Sequence, residues 1–197
     1  MVHNQEAIAH HLRQISDMLV LNGTLTDCPG LIHGKMGITV FFCHYARYTN
    51  NTFYMEYVVD LIETIQSQIH INSPADYEQG IAGIGVGIDY LIRNNLLEAD
   101  NDMFDDFDQR MFRAVMYDPY QDFSLYYGLT GYGRYWMNRL ADARQAKDCL
   151  LRIVAIIEDE LTHVSVNEQV DVYCFLQDLF QIQGFEMCTG LLTHIAA

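Results

Sequence analysis

Three glycine steps recur at a nearly constant interval, and they constrain the fold of this chain more than any other feature. Each step is a pair of glycines three residues apart, and the pairs are Gly34/Gly37, Gly80/Gly83 and Gly128/Gly131. Their starts lie 46 and 48 residues apart, and an apolar stretch of helical length follows each one, over about 35–49, 81–95 and 129–140. A period of this size is typical of stacked helical hairpins, in which no unit buries its apolar face alone.

Amphipathic stripes fill the intervals between these stretches. Their apolar residues recur at helical spacing, and the stripes run from Ile8 to Leu19 (in a helix over about 5–21), Val58 to Ile69, Phe104 to Val115 and Leu150 to Leu161. The alternation predicts an all-α domain over residues 1–197 with eight or nine helices paired as hairpins. A fourth, degenerate hairpin is expected over about 167–196, because terminal repeats cap the stack and are atypical.

A group of acids precedes the stripe that begins at Phe104. We expect Asp102 to cap this helix and Asp105, Asp106 and Asp108 to lie solvated in its first turns, where negative charge suits the helix dipole. A calcium loop is the alternative, but the helical stripe runs through the segment and the EF-hand glycine is absent.

The glycine steps admit two roles. Residues i and i+3 lie on one helix face, so two glycines there let the helix start approach a neighbour closely. They also leave backbone N–H groups accessible, and a ring of such helix starts would suit an anionic or polar ligand.

The composition of the chain indicates which partners, location and cysteine chemistry to expect. A net charge of −15 disfavours nucleic acid and anionic lipid as partners. No apolar run approaches the ~20 residues of a membrane span, and no signal peptide is visible, so a cytoplasmic location is expected. The five cysteines are odd in number and show no CxxC spacing, which favours neither a disulfide framework nor a zinc ribbon.

At residues 30–38, 78–85 and 127–133 the chain resembles the lanthionine synthetase C-like (LanC-like) family, whose helices begin with repeated G-[LI]-x-G-x-G motifs. The resemblance covers about residues 5–165. It implies an α/α toroid of inner and outer helices, here a partial ring of about four hairpins, roughly half of the family's complete ring. Such a chain is either the N-terminal half of a longer product or a natural short form, and its exposed edges make self-association plausible.

The resemblance also raises the question of whether this chain has the zinc ligands of the family. Family enzymes hold Zn²⁺ through two cysteines and one histidine, with a C-H-G-x-x-G helix start, and activate a peptide thiolate that adds to a dehydrated serine or threonine. Here Ile32 stands in the cysteine position before His33, and Cys188 is followed by Thr189. A scattered set of Cys28, His33 and Cys188 is conceivable, but we expect no metal, no cofactor and no catalytic residue of this type.

The leading hypothesis is a LanC-like, non-catalytic accessory protein or pseudoenzyme that binds a peptide or partner enzyme in modified-peptide maturation. Its candidate cleft residues flank the glycine steps: His33, Lys35, Glu78, Gln79, Tyr126, Tyr127, Tyr132 and Arg134. A carboxylate-based glycosidase or lyase is the alternative from another class, with Glu78, Asp76, Asp89 and Asp122 as the available acids. A zinc-dependent thioether-forming cyclase is the third, and a structural partner that completes another toroid is indistinguishable from the first.

Overall fold

The computed structural model describes residues 2–98, 102–186 and 188–195. In these ranges it has nine α-helices, one short 3-10 turn and no β-strand. The helices are α1 (Val2–Leu25), α2 (Lys35–Thr49), α3 (Thr52–Gln68), α4 (Ile81–Arg93), α5 (Asp105–Met116), α6 (Leu129–Asn138), α7 (Ala146–Glu160), α8 (Val166–Phe180) and α9 (Cys188–Ile195). The all-α prediction is confirmed.

The helices pair as the repeat predicts. Each odd-numbered helix from α3 to α9 packs against the even-numbered helix before it, which makes four hairpins. The even-numbered helices also pack in a row, α2 with α4, α4 with α6 and α6 with α8, while α1 covers α2. We call α2, α4, α6 and α8 the inner helices. The degenerate fourth hairpin is therefore formed by α8 and α9. Of the predicted range 167–196, residues 187 and 196 lie outside the described residues.

Two apolar clusters fill the space between the layers. The smaller one joins α2, α3 and α4, and its aromatic centre is Phe42, whose ring packs against Tyr54 and Tyr57. The larger one joins α4 to α9 around Trp136 and Phe175, both fully buried. No helix in the described ranges is both long enough and apolar enough to cross a membrane.

Each glycine step begins an inner helix, as predicted. Gly34, Gly80 and Gly128 are the N-cap residues of α2, α4 and α6, in extended conformation and without a side-chain cap. The loop before each helix supplies the missing cap: the first helical N–H donates to the carbonyl seven residues earlier. These bonds are Lys35 N to Cys28 O at 2.9 Å, Ile81 N to Pro74 O at 2.9 Å and Leu129 N to Asp122 O at 2.8 Å.

The second glycine of each step has the same explanation. A Cβ at Gly37, Gly83 or Gly131 would lie 2.3, 1.9 or 2.2 Å from the carbonyl oxygen of the residue six positions earlier. The atoms nearest to these glycines therefore belong to the preceding loop of the chain, which wraps around the helix start, and not to a neighbouring helix. The sequence predicts that first-turn N–H groups are free to bind an anionic ligand. This prediction is wrong for the N–H groups that already donate to carbonyls of the preceding loop.

The acidic helix start also differs from its prediction. The side chain of Asp102 does not cap α5, whose N-cap is Phe104; the backbone carbonyl of Asp102 accepts the Asp105 N–H instead. Asp108 is not solvated but buried, because Arg139 and Tyr135 of the next hairpin reach its carboxylate. The position of Asp108 in the first turn of α5 suits the helix dipole. Its burial follows from the ion pair with Arg139 of the next hairpin.

Candidate functional site

The loops before the inner helices join one another side by side. Ile32 N–H donates to Glu78 O at 3.2 Å, and Glu78 N–H donates to Tyr126 O at 3.1 Å. Ile32, Glu78 and Tyr126 each stand two residues before the first glycine of their step. Equivalent positions of three repeats therefore meet at the N-terminal end of the inner helices, and their side chains share one surface.

The third loop is anchored differently, because no fourth glycine-step loop follows it. Leu125 N–H donates to the Asp171 carboxylate and Phe123 N–H donates to the Glu168 carboxylate, both at 2.9 Å. Glu168 also completes a capping box with Ser165 at the start of α8. Burial opposes the charge of Glu168, but the hydrogen bonds from Phe123 and Ser165 prevail and lower its pKa. Glu168 and Asp171 of α8 thus hold the third loop, whereas the first two loops are each held by the next glycine-step loop.

Glu78 lies at the centre of the shared surface. The residue is only 8% exposed, and one carboxylate oxygen, Oε1, lies 3.6 Å from Nε2 of His33. Interaction of the Tyr127 hydroxyl with the nearby Glu78 carboxylate raises the pKa of this phenol. The other oxygen, Oε2, is buried and accepts no hydrogen bond from the residues that the structure describes. We call His33, Glu78 and Tyr127 the Glu78 cluster.

Apart from Glu78, the side chains in and around this cluster are exposed. The His33 side chain is 75% exposed, and Tyr126 and Tyr127 are each about half exposed. Gln79 is also exposed, while its backbone N–H is held by the Asp76 carboxylate at 2.7 Å. The arrangement is a buried acid with an exposed imidazole and two half-exposed aromatic residues near it.

A cavity of about 650 Å³ opens on the His33 side of the cluster. The end of α1 and the first glycine step line it, and its apolar walls come from Leu19, Leu25, Ile32 and Ile38. A ligand that reaches Glu78 past His33 therefore has apolar surface beside it.

Three predicted cleft residues lie elsewhere. Lys35 is 4% exposed, and its ammonium group donates to the Thr26 carbonyl, so the bond ties the loop after α1 to α2. Tyr132 is buried under the third loop, where desolvation and nearby acids raise its pKa to about 12. Arg134 forms an ion pair with Asp178, which links α6 to α8.

The acids considered for carbohydrate chemistry have structural partners. Asp76 accepts the N–H groups of Gln79 and Gly80, and Asp122 accepts the N–H and hydroxyl of Ser124. Asp89 lies far along α4 and forms a 2.6 Å ion pair with Arg93. Of these four acids, Glu78 is the one with a buried oxygen that accepts no hydrogen bond from the part of the chain that the structure describes.

Within the described ranges, no group of three or more His, Cys, Asp or Glu side chains is placed to hold a metal ion. Cys28 lies in the loop before α2, whereas Cys188 begins α9, which packs on α8 at the other end of the inner row. Burial raises the pKa of the Cys188 thiol, which disfavours the thiolate that a zinc site requires.

Sequence reasoning missed Asp171 and Glu168, which anchor the third loop. Their three-residue spacing at the start of α8 puts them on one helix face and is a usable signal. Comparison of the chain with family models, curated proteins and solved structures found no match.

Proposed function

We propose that this protein is a non-catalytic peptide-binding accessory protein of the LanC-like type, and that it binds a basic group of a peptide at the Glu78 cluster. The observation that carries the proposal is the buried Oε2 of Glu78, which accepts no hydrogen bond from the described residues. The resemblance in the glycine steps supports a role in the maturation of modified peptides.

The physical argument concerns an unsatisfied acceptor. A buried carboxylate oxygen without a donor costs free energy, on the order of 1–3 kcal/mol or more for a charged group. An ammonium or guanidinium group of a ligand supplies both the donors and the opposite charge, and charge-assisted bonds of this kind are among the strong ones. The unmet bond of Glu78 therefore favours a cationic donor, which reaches this buried oxygen when a bordering side chain such as that of His33 moves aside.

The surroundings support the same ligand class. The half-exposed rings of Tyr126 and Tyr127 offer faces on which a guanidinium group or a peptide plane packs. The net charge of −15 attracts basic peptides over a distance and raises their association rate at low salt.

A binding titration tests the proposal. The probe is a fluorescein-labelled pentapeptide mixture with arginine fixed at the centre and random flanks, compared with the same mixture carrying citrulline, which is neutral and similar in shape. We expect the arginine mixture to bind at least ~10-fold more tightly than the citrulline mixture, because one ion pair in a partly buried site contributes about 1.4 kcal/mol or more.

The matched variants are Glu78→Gln and Glu56→Gln, which remove the same charge. Glu56 is exposed on α3. We expect Glu78→Gln to abolish the preference for arginine over citrulline and Glu56→Gln to retain it. An equal effect of both variants would show that only net charge matters and would refute a site at Glu78.

A further inference from the structure

Helix α1 carries more apolar circumference than the fold covers. Its inward face packs on α2 and the α3 side of the smaller cluster and includes Leu12, Ser16, Leu19 and Gly23. A helix on the surface of a globular domain needs one apolar stripe of about 100°. In α1 a second apolar stripe lies directly beside the first.

This second stripe, which we call the α1 seam, has the spacing of a coiled-coil interface. Its positions alternate three and four residues apart, and at 100° per residue they fall within an arc of about 100°. They are Ile8, His11, Ile15, Met18, Asn22 and Leu25. All six are exposed, with Met18 at 58% and Leu25 at 77%. Leu21, 64% exposed, borders the seam.

The exposed area is sufficient for self-association. The five large apolar residues on or beside the seam are 40% to 77% exposed. With roughly 200 Å² for a fully exposed side chain of this size, they present on the order of 600 Å² per chain, so two copies would bury on the order of 1,200 Å². This value reaches the lower limit of specific protein interfaces, and the cavity at the end of α1 adds Ile32 to the same surface.

The charge distribution on α1 is compatible with a second copy of the chain as the partner. Of the net charge of −15, α1 contributes only −1, from Glu6, Asp17 and Arg13. Arg13 and Asp17 lie on the face opposite the seam, and the six seam positions carry no Asp, Glu, Lys or Arg. Two copies therefore bring no like charges face to face when these seams meet.

We propose that the α1 seam is a homodimer interface, in which the seams of two copies pack against each other. This inference does not rest on peptide binding at Glu78, although the seam and the cavity beside the Glu78 cluster share Asn22 and Leu25. The repeated seven-residue spacing favours a second copy as the occupant, because a heptad seam is complementary to another heptad seam.

Sedimentation equilibrium over about 1–200 µM chain tests the interface. We expect a reversible monomer–dimer equilibrium for the unmodified protein, and a dissociation constant at least ~100-fold higher for Met18→Asp, which buries a charge in the seam. His10→Asp adds the same charge on the polar face, where His10 is exposed, and should change the constant by less than ~3-fold. The far-ultraviolet circular dichroism of each variant must match that of the unmodified protein, as expected for exposed positions.

Salt provides a second measurement. Raising the ionic strength from about 0.05 to 0.5 M should tighten the dimer, because screening reduces the mutual repulsion while apolar contacts persist. A chain that stays monomeric at 200 µM overturns the proposal, and so does a dimer that Met18→Asp does not weaken. A dimer that dissociates in high salt is held by ion pairs and is equally incompatible with the seam.

Discussion

Replacement of Gly83 by alanine tests the wrapping of the loops around the inner helices. The added Cβ would lie 1.9 Å from the Tyr77 carbonyl oxygen and 3.1 Å from the Cβ of Leu31. Since ordinary C···O contacts are about 3.3 Å or longer, the Tyr77 carbonyl must retreat by more than about 1 Å. The atom is part of the backbone, so no side-chain rotation relieves the contact.

The expected loss of stability is estimated from the contacts that this movement of the Tyr77 carbonyl disturbs. The overpacking itself costs about 1–3 kcal/mol. The movement also strains the bond from Tyr77 N–H to Tyr126 O at 2.9 Å and the bond from Gly83 N–H to Asp76 O at 3.4 Å, each with a net contribution of about 0.5–1.5 kcal/mol. The better helix propensity of alanine returns about 1 kcal/mol. We expect a net loss of about 1–5 kcal/mol, or roughly 2–20 °C in Tm for a chain of this size.

Urea unfolding followed by tryptophan fluorescence measures this loss. Trp136 is the only tryptophan in the sequence and is fully buried, so its emission reports the main core. The control is Gly190→Ala, a helical glycine whose Cβ would have no described atom within 4 Å. That variant should be unchanged or up to about 1 kcal/mol more stable. If Gly83→Ala is as stable as Gly190→Ala, the loop does not wrap the helix as closely as we infer.

Two carboxylates provide further predictions. The lowered pKa of Glu168 means that its stabilising contribution is present above the unfolded-state value, 4.5, and is lost as the pH falls through the lower folded-state value. Glu168→Gln should therefore cost about 1–2 kcal/mol at pH 7 and flatten the loss of stability below pH 4.5 in urea unfolding; an unchanged pH profile would contradict this. Asp108→Ala should cost about 3–5 kcal/mol at pH 7 in the same assay, because it leaves Arg139 charged and mostly buried, and a loss below about 1 kcal/mol would contradict the buried pair.

The sequence predicted where the inner helices begin, because a glycine pair at a fixed period is a local signal repeated three times. It did not predict why the glycines are there. The carbonyls that exclude a Cβ belong to the preceding loop, six residues earlier, and the path of that loop is a tertiary feature. For the same reason, sequence placed the glycine steps at the helix starts but expected their N–H groups to be accessible.

The site was predictable in position but not in detail. The repeat offset brings His33, Glu78 and Tyr127 to one end of the inner row, and the structure brings these three together. Lys35 has a similar place in the sequence but is held by Thr26, at the end of α1. Polar residues beside a glycine step look alike in sequence, and only their tertiary neighbours determine which of them retains an unmet hydrogen bond.

The position of Glu78 itself argues for function over structure. The bonds that join the three loops are made by backbone N–H and C=O groups, which any residue other than proline supplies. The equivalent positions hold Ile32 and Tyr126, so the fold requires no carboxylate there. A buried oxygen without a donor is destabilising, and such costs concentrate at functional sites. Glu78→Gln should therefore leave the free energy of unfolding unchanged or raise it by up to about 1 kcal/mol in urea unfolding, while arginine recognition is lost. A variant that loses both stability and binding would instead identify Glu78 as a structural residue.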